Sequence, residues 1–124
     1  MRLARVLIPL YILLVVSCSS ATMTKSEHVG CGGKVCRVTG RLEVFPGGFG
    51  AGSIKALGGC YDLALPEKVL NAAGAWSGKM VTVVGESISR PNDPNIAWYN
   101  VKDRRVEAGG CGTSIIYVNS IKRD

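Results

Sequence analysis

Five cysteines, Cys18, Cys31, Cys36, Cys60 and Cys111, are the residues of this chain whose types and spacing come closest to chemistry. Cys31 and Cys36 have a loose metal-binding spacing, but Cys60 and Cys111 stand apart and supply no second close pair. Structural zinc needs four ligands, normally in two such pairs, and the only histidine here is His28. The same shortage of bases weighs against catalysis. A serine or cysteine nucleophile needs an adjacent base, and His28 falls in a polar stretch that reads as linker. The carboxylates Glu43, Asp62, Glu86, Asp93, Asp103 and Glu107 are scattered singly, and no spacing among them points to a glycosidase pair. Gly47-Gly48-Phe49-Gly50 lacks the Lys-Ser/Thr tail of a phosphate loop and reads as a turn. The sequence therefore predicts no metal, no cofactor and no enzymatic activity; a cryptic hydrolase is the weakest of the function classes left.

The N-terminus has its own logic. Arg2 and Arg5 precede an apolar run over residues 6–16, and small residues from Ser17 to Ala21 follow. A positive start, a short apolar core and a small-residue exit form a secretory signal. Eleven apolar residues are too few for a permanent spanning helix, which needs about 20. Val15-Val16-Ser17-Cys18 resembles the bacterial lipoprotein box, with an ordinary signal peptide as the plainer alternative. The resemblance implies diacylglyceryl transfer to the Cys18 sulfur, cleavage before it, and acylation of the new amine, typically by palmitate. Several acyl chains hold a protein on a membrane far better than one, since each buried methylene contributes ~0.8 kcal/mol. Ser19, in place of an aspartate, implies sorting to the cell outer membrane on its periplasmic side in a two-membrane host. The expected organisation is a signal peptide over 1–17, a lipidated flexible tether over 18–30 and one domain over 31–124. Removing residues 1–17 takes two of the 15 basic residues and none of the nine acids, leaving 13 − 9 = +4.

An odd cysteine count in an exported protein calls for an explanation. Lipidation of Cys18 supplies it and leaves Cys31, Cys36, Cys60 and Cys111 to form two disulfides in an oxidising compartment. Three connectivities are open.

The elements that must position these residues are mostly strands. Residues 36–45 alternate, with Val38, Gly40, Leu42 and Val44 on one face and Arg37, Thr39, Arg41 and Glu43 on the other. Residues 53–57 and 60–65 read as two strands around Gly58-Gly59. Pro66 opens a short helix whose apolar face is Val69, Leu70, Ala73 and Trp76. Residues 79–88, 97–106 and 114–122 read as further strands, the middle one polar and at an edge. Sixteen glycines suit such a turn-rich, all-β chain.

This order, with Gly-Lys-Met-Val-Thr-Val-Val-Gly-Glu at 78–86, resembles the OB-fold: a five-stranded Greek-key barrel with one short helix between its third and fourth strands. A small sandwich or SH3-like barrel is the rival. The OB resemblance implies that Cys36 meets Cys60 and Cys31 meets Cys111. It also implies a binding surface across strands two and three and their flanking loops, here Arg41, Lys55, Tyr61, the 46–52 loop with Phe49, and residues 107–113. Phe49, ringed by glycines, fits either partner contact or a barrel plug. Lys102, Arg104 and Arg105 are the densest basic cluster, and fit either a ligand surface or a solvated face touching lipid headgroups. The leading expectation is a non-catalytic, lipid-tethered module that binds another envelope or secretion-system protein, with an inhibitor or immunity protein as a subclass. The alternative is a single-stranded nucleic-acid or polyanion binder. Such binders interleave aromatics with a basic groove, and aromatics are only 6% here, which ranks it lower.

Overall fold

The computed structural model describes residues 26–45, 51–91, 93–112 and 114–124. The signal segment, Cys18, the tether up to residue 25 and the glycine-rich turn carrying Phe49 lie outside the described residues.

The chain forms ten elements: β1 (His28–Gly32), β2 (Val35–Val44), β3 (Ala51–Ala56), β4 (Gly59–Ala64), α1 (Glu67–Leu70), α2 (Ala73–Trp76), β5 (Met80–Ser89), β6 (Trp98–Val101), β7 (Arg104–Glu107) and β8 (Ser114–Arg123). Five of them close an OB-fold-like barrel. The order runs β2-β3-β4-β8-β5, and β5 returns to pair with β2. All pairings are antiparallel except β4 with β8, which run parallel for three rungs. Closure works because β2 changes partner along its length: Val35–Arg41 pair with β5 and Arg41–Val44 with β3. Gly40 sits at that changeover, where a Cβ would collide with the Lys55 carbonyl oxygen. Glycine lets the two backbones approach.

The alternation read from the sequence sorts the two faces. Val38, Leu42, Val44, Ile54, Leu63, Val81, Val83, Ile116, Val118 and Ile121 form the barrel interior. Ile121 keeps its inward place because a register shift in the β5–β8 ladder, between Val84 and Gly85, leaves Asn119 unpaired. A bulge of this kind moves the following residues by one and restores their parity.

Four features differ from the sequence reading. The single helix expected after Pro66 is two separate turns, α1 and α2, but Val69, Leu70, Ala73 and Trp76 do pack on the barrel core as expected. The polar strand expected over 97–106 is a hairpin: Lys102 takes a positive φ of 54° and, with Asp103, reverses the chain so that Trp98 pairs with Glu107. It buries Val101 and Val106 in a second, small core against Ala64 and Ile115 on the outside of the barrel. The tether ends earlier than residue 30, since His28–Gly32 is an extra strand beside β2, with His28 exposed.

The fourth difference is the disulfide pairing. Cys31 bonds Cys36 and Cys60 bonds Cys111, not Cys31 with Cys111 and Cys36 with Cys60. The hairpin missing from the sequence reading is the reason. The turn at Gly33 (φ 62°) and Lys34 folds β1 back on β2 and sets Cys31 directly opposite Cys36, with Cα atoms 4.0 Å apart. Cys60 projects from the outer face of β4, where the loop after β7 brings Cys111 to it. On a chain-entropy argument, the short Cys31–Cys36 loop is worth about 2 kcal/mol and the longer Cys60–Cys111 loop about 4 kcal/mol. Denaturant unfolding of the paired Cys→Ala variants should therefore show the larger loss for C60A/C111A. Equal losses would mean that loop closure does not set their contributions.

Candidate functional site

Two rungs of side chains cross the outside of the barrel. One sets Arg41 opposite Lys55 and Lys55 opposite Cys60; the other sets Glu43 opposite Ser53 and Ser53 opposite Asp62. These outward positions, Arg41 apart, form the floor of a groove of about 290 Å³, walled by Phe45, Arg90, Val106, Glu107 and the loop Gly109–Cys111.

Asp62 and Arg90 organise it. The carboxylate accepts from Arg90 Nη2 at 2.5 Å, and also from the backbone N–H groups of Cys111 at 3.2 Å and Gly112 at 3.0 Å. Arg90 Nη1 donates to the Ala108 carbonyl at 2.9 Å. The two side chains are only 11% and 10% exposed, so the charges are paired and largely out of water. Gly110 covers them: a Cβ there would lie 2.5 Å from both Asp62 oxygens and 2.6 Å from Arg90 Nη2. The 108–112 loop is thus held to β4 twice, by this ion pair and by Cys60–Cys111. Arg90 Nε and the Tyr99 hydroxyl are buried without a well-formed hydrogen bond among the described residues, and burial pushes the Tyr99 hydroxyl pKa up against the opposing pull of the neighbouring Arg90.

Of the residues expected at the binding surface, the structure brings Lys55 into this groove and leaves Arg41 exposed beside it. Lys55 stands 3.7 Å from Glu43. Tyr61 is a correction. It shares the inward parity of Leu63 and packs against the barrel core, because in β4 the outward residues are Cys60, Asp62 and Ala64. Phe49 lies outside the described residues. Phe45, four residues earlier and not singled out in the sequence, is 47% exposed at the groove wall. Asp62 and Arg90 were not legible as a pair, since nothing in their separation marks a contact.

The basic cluster is divided among separate tasks. Lys102 Nζ donates to Glu86 at 2.9 Å. Arg104 Nη1 donates to the carbonyls of Ala64 at 2.6 Å and Val118 at 2.7 Å, where the parallel β4–β8 pairing stops, and its guanidinium lies 3.9 Å over the Tyr117 ring. Arg105 lies 3.8 Å over Trp98. Among the described residues no three His, Cys, Asp or Glu side chains gather as a metal site.

A scan of protein-family models and searches of curated proteins and of solved structures found no match to this chain.

Two tests follow from the site's electrostatics. Asp62→Ala strands the buried Arg90 charge and frees the loop amides, so it should cost about 3–5 kcal/mol. Asp62→Ala combined with Arg90→Met should recover part of that loss in the same denaturant titration. No recovery would mean the carboxylate acts through the loop amides alone. The second test concerns the β6–β7 turn. The hydrogen bond and charge of Lys102 hold the Glu86 carboxyl below its usual range, and the hydrogen bond from the Tyr117 hydroxyl does the same for Asp103. A carboxyl depressed in the folded state stabilises above its unfolded pKa and loses that contribution as pH falls through the folded value. Amide exchange in β6 and β7, after correction for intrinsic rates, should therefore gain on that of the barrel as pH drops below the ordinary carboxylate range. Uniform loss of protection would refute a local effect.

Proposed function

We propose that this chain is a non-catalytic docking module for another protein of the cell envelope, tethered through lipid on Cys18 to the periplasmic side of the outer membrane. The signal-like N-terminus, the lipoprotein-box resemblance and the cysteine arithmetic support the location. The groove supports the role.

One observation carries the choice of a protein over a polyanion. The groove is lined by three carboxylates, Glu43, Asp62 and Glu107, against two cations, Lys55 and Arg90, on a chain whose net charge is +6 before and 13 − 9 = +4 after removal of residues 1–17. A phosphate backbone is drawn to surfaces that neutralise it with Lys and Arg, and here the groove lining has more acids than cations, with the exposed Arg41 lying beside it. Its floor and walls mix a disulfide, Phe45 and Val106 with polar groups, and the Asp62–Arg90 pair and Cys60–Cys111 fix the loop beforehand. Such preorganisation lowers the ordering cost of association.

A photo-cross-linker at the exposed groove residue Lys55 should trap one envelope protein in living cells. A cross-linker at Lys122 should not, and Glu107→Lys should abolish the Lys55 adduct. Cys18→Ser should release the chain from the membrane fraction. Oligonucleotide retention on filters that weakens steeply with salt would instead favour the polyanion reading.

A further inference from the structure

The chemistry of the groove also says which kind of segment it fits, and this step rests on the docking role proposed above. Three aromatic rings of the chain carry a cation of its own: Arg104 and Lys102 lie over Tyr117, Arg105 over Trp98 and Arg123 over Trp76. Phe45 differs from these three. It is nearly half exposed, lines the groove, and has no cation over its ring among the described residues. The acids beside it are uncommitted or weakly committed. Glu107 has no ion-pair partner among the described residues, and Glu43 has only the exposed Lys55 at 3.7 Å. An exposed pair of that kind contributes little and exchanges readily. Asp62, by contrast, is neutralised by Arg90 and shielded by Gly110.

We propose that the groove takes an extended cationic segment of the partner protein, with an arginine stacked on Phe45 within reach of Glu43 and Glu107. A guanidinium suits the place better than an ammonium, because it is planar, stacks on rings and presents several donors at once. The Cys60–Cys111 bridge offers an apolar contact to an aliphatic neighbour of that arginine.

The probes are two pentapeptides, acetyl-Gly-Arg-Leu-Arg-Gly-amide and its counterpart with both arginines replaced by glutamate, with a single-stranded oligothymidine as third ligand. Each is titrated into the full chain as isolated from cells, and amide shifts are followed by NMR. The arginine peptide should shift Ser53, Lys55, Glu107 and Gly110. It should bind about tenfold more tightly than the glutamate peptide, the scale of one ring contact plus one charge pair. Glu107→Gln and Phe45→Ala should each reduce that preference about threefold. Phe45 is exposed, so its variant should fold; Glu107→Gln carries the test if it does not. Equal binding of both peptides in the groove overturns the cationic partner and leaves the docking role standing. Groove shifts with the oligothymidine and with neither peptide overturn the docking role itself. No groove shift with any probe overturns the cationic segment.

Discussion

A buried carboxylate and a buried guanidinium, Asp62 and Arg90, decide what the outside of this barrel looks like. Taking two charges out of water costs more than their attraction returns unless further hydrogen bonds complete the arrangement. Those bonds come from a single loop: the N–H groups of Cys111 and Gly112 on Asp62, and the Ala108 carbonyl on Arg90. The pair is therefore stable only with residues 108–112 in place, and it in turn helps to hold that loop alongside the Cys60–Cys111 bond. Gly110 is the steric condition, because any side chain at that position would displace the charges it covers.

From that constraint the rest of the outer face follows. The loop joins the β6–β7 hairpin to β8, so holding the loop on β4 also holds the hairpin over Ala64 and Ile115, where Val101 and Val106 become a second core. An OB-type barrel would otherwise leave the β3–β4 face open. Here the hairpin and loop cover part of it, and the remainder is a bounded groove with one wall from the barrel and one from the insertion. The two walls are linked covalently by Cys60–Cys111 and ionically by Asp62–Arg90, so the groove keeps its width without a ligand to prop it open.

Local patterns in the sequence were enough for the barrel, because strand alternation is a local property. Val38, Leu42 and Val44 face inward as their spacing requires, and the helical residues Val69 and Trp76 pack where an amphipathic face must. What stayed hidden depended on reversals of the chain. Residues 97–106 carry no Gly, Pro or Asn-Gly signal at 101–104 to break one polar strand, and the reversal rests on the positive φ of Lys102. The β1 strand was concealed in the same way by small residues that resemble linker, and with it went the reason for Cys31–Cys36. Tyr61 was misplaced by one residue of parity, which in a strand exchanges the core for the surface. The Asp62–Arg90 pair had no sequence signature, because the two residues meet through tertiary packing alone.

The fate of four arginines shows why a basic composition is a poor guide to this molecule's partner, although Arg37 and Arg41 stay exposed. Arg90 is occupied by Asp62 and a carbonyl, Arg104 by two carbonyls and the Tyr117 ring, Arg105 by Trp98, and Arg123 by the Ala75 carbonyl and Trp76. Each uses the planar, multiply donating guanidinium as a structural clasp, a role a lysine fills poorly. Arg104 shows the logic most clearly: β4 and β8 pair for only three rungs, and its guanidinium satisfies the carbonyls at the end of that seam. Charge committed to backbone oxygens and ring faces is still counted in the net value, yet it is only partly offered to a ligand. What an approaching partner meets inside the groove is instead the balance among Glu43, Lys55 and Glu107 around a half-exposed Phe45, acidic within the groove although Arg41 stands exposed beside it.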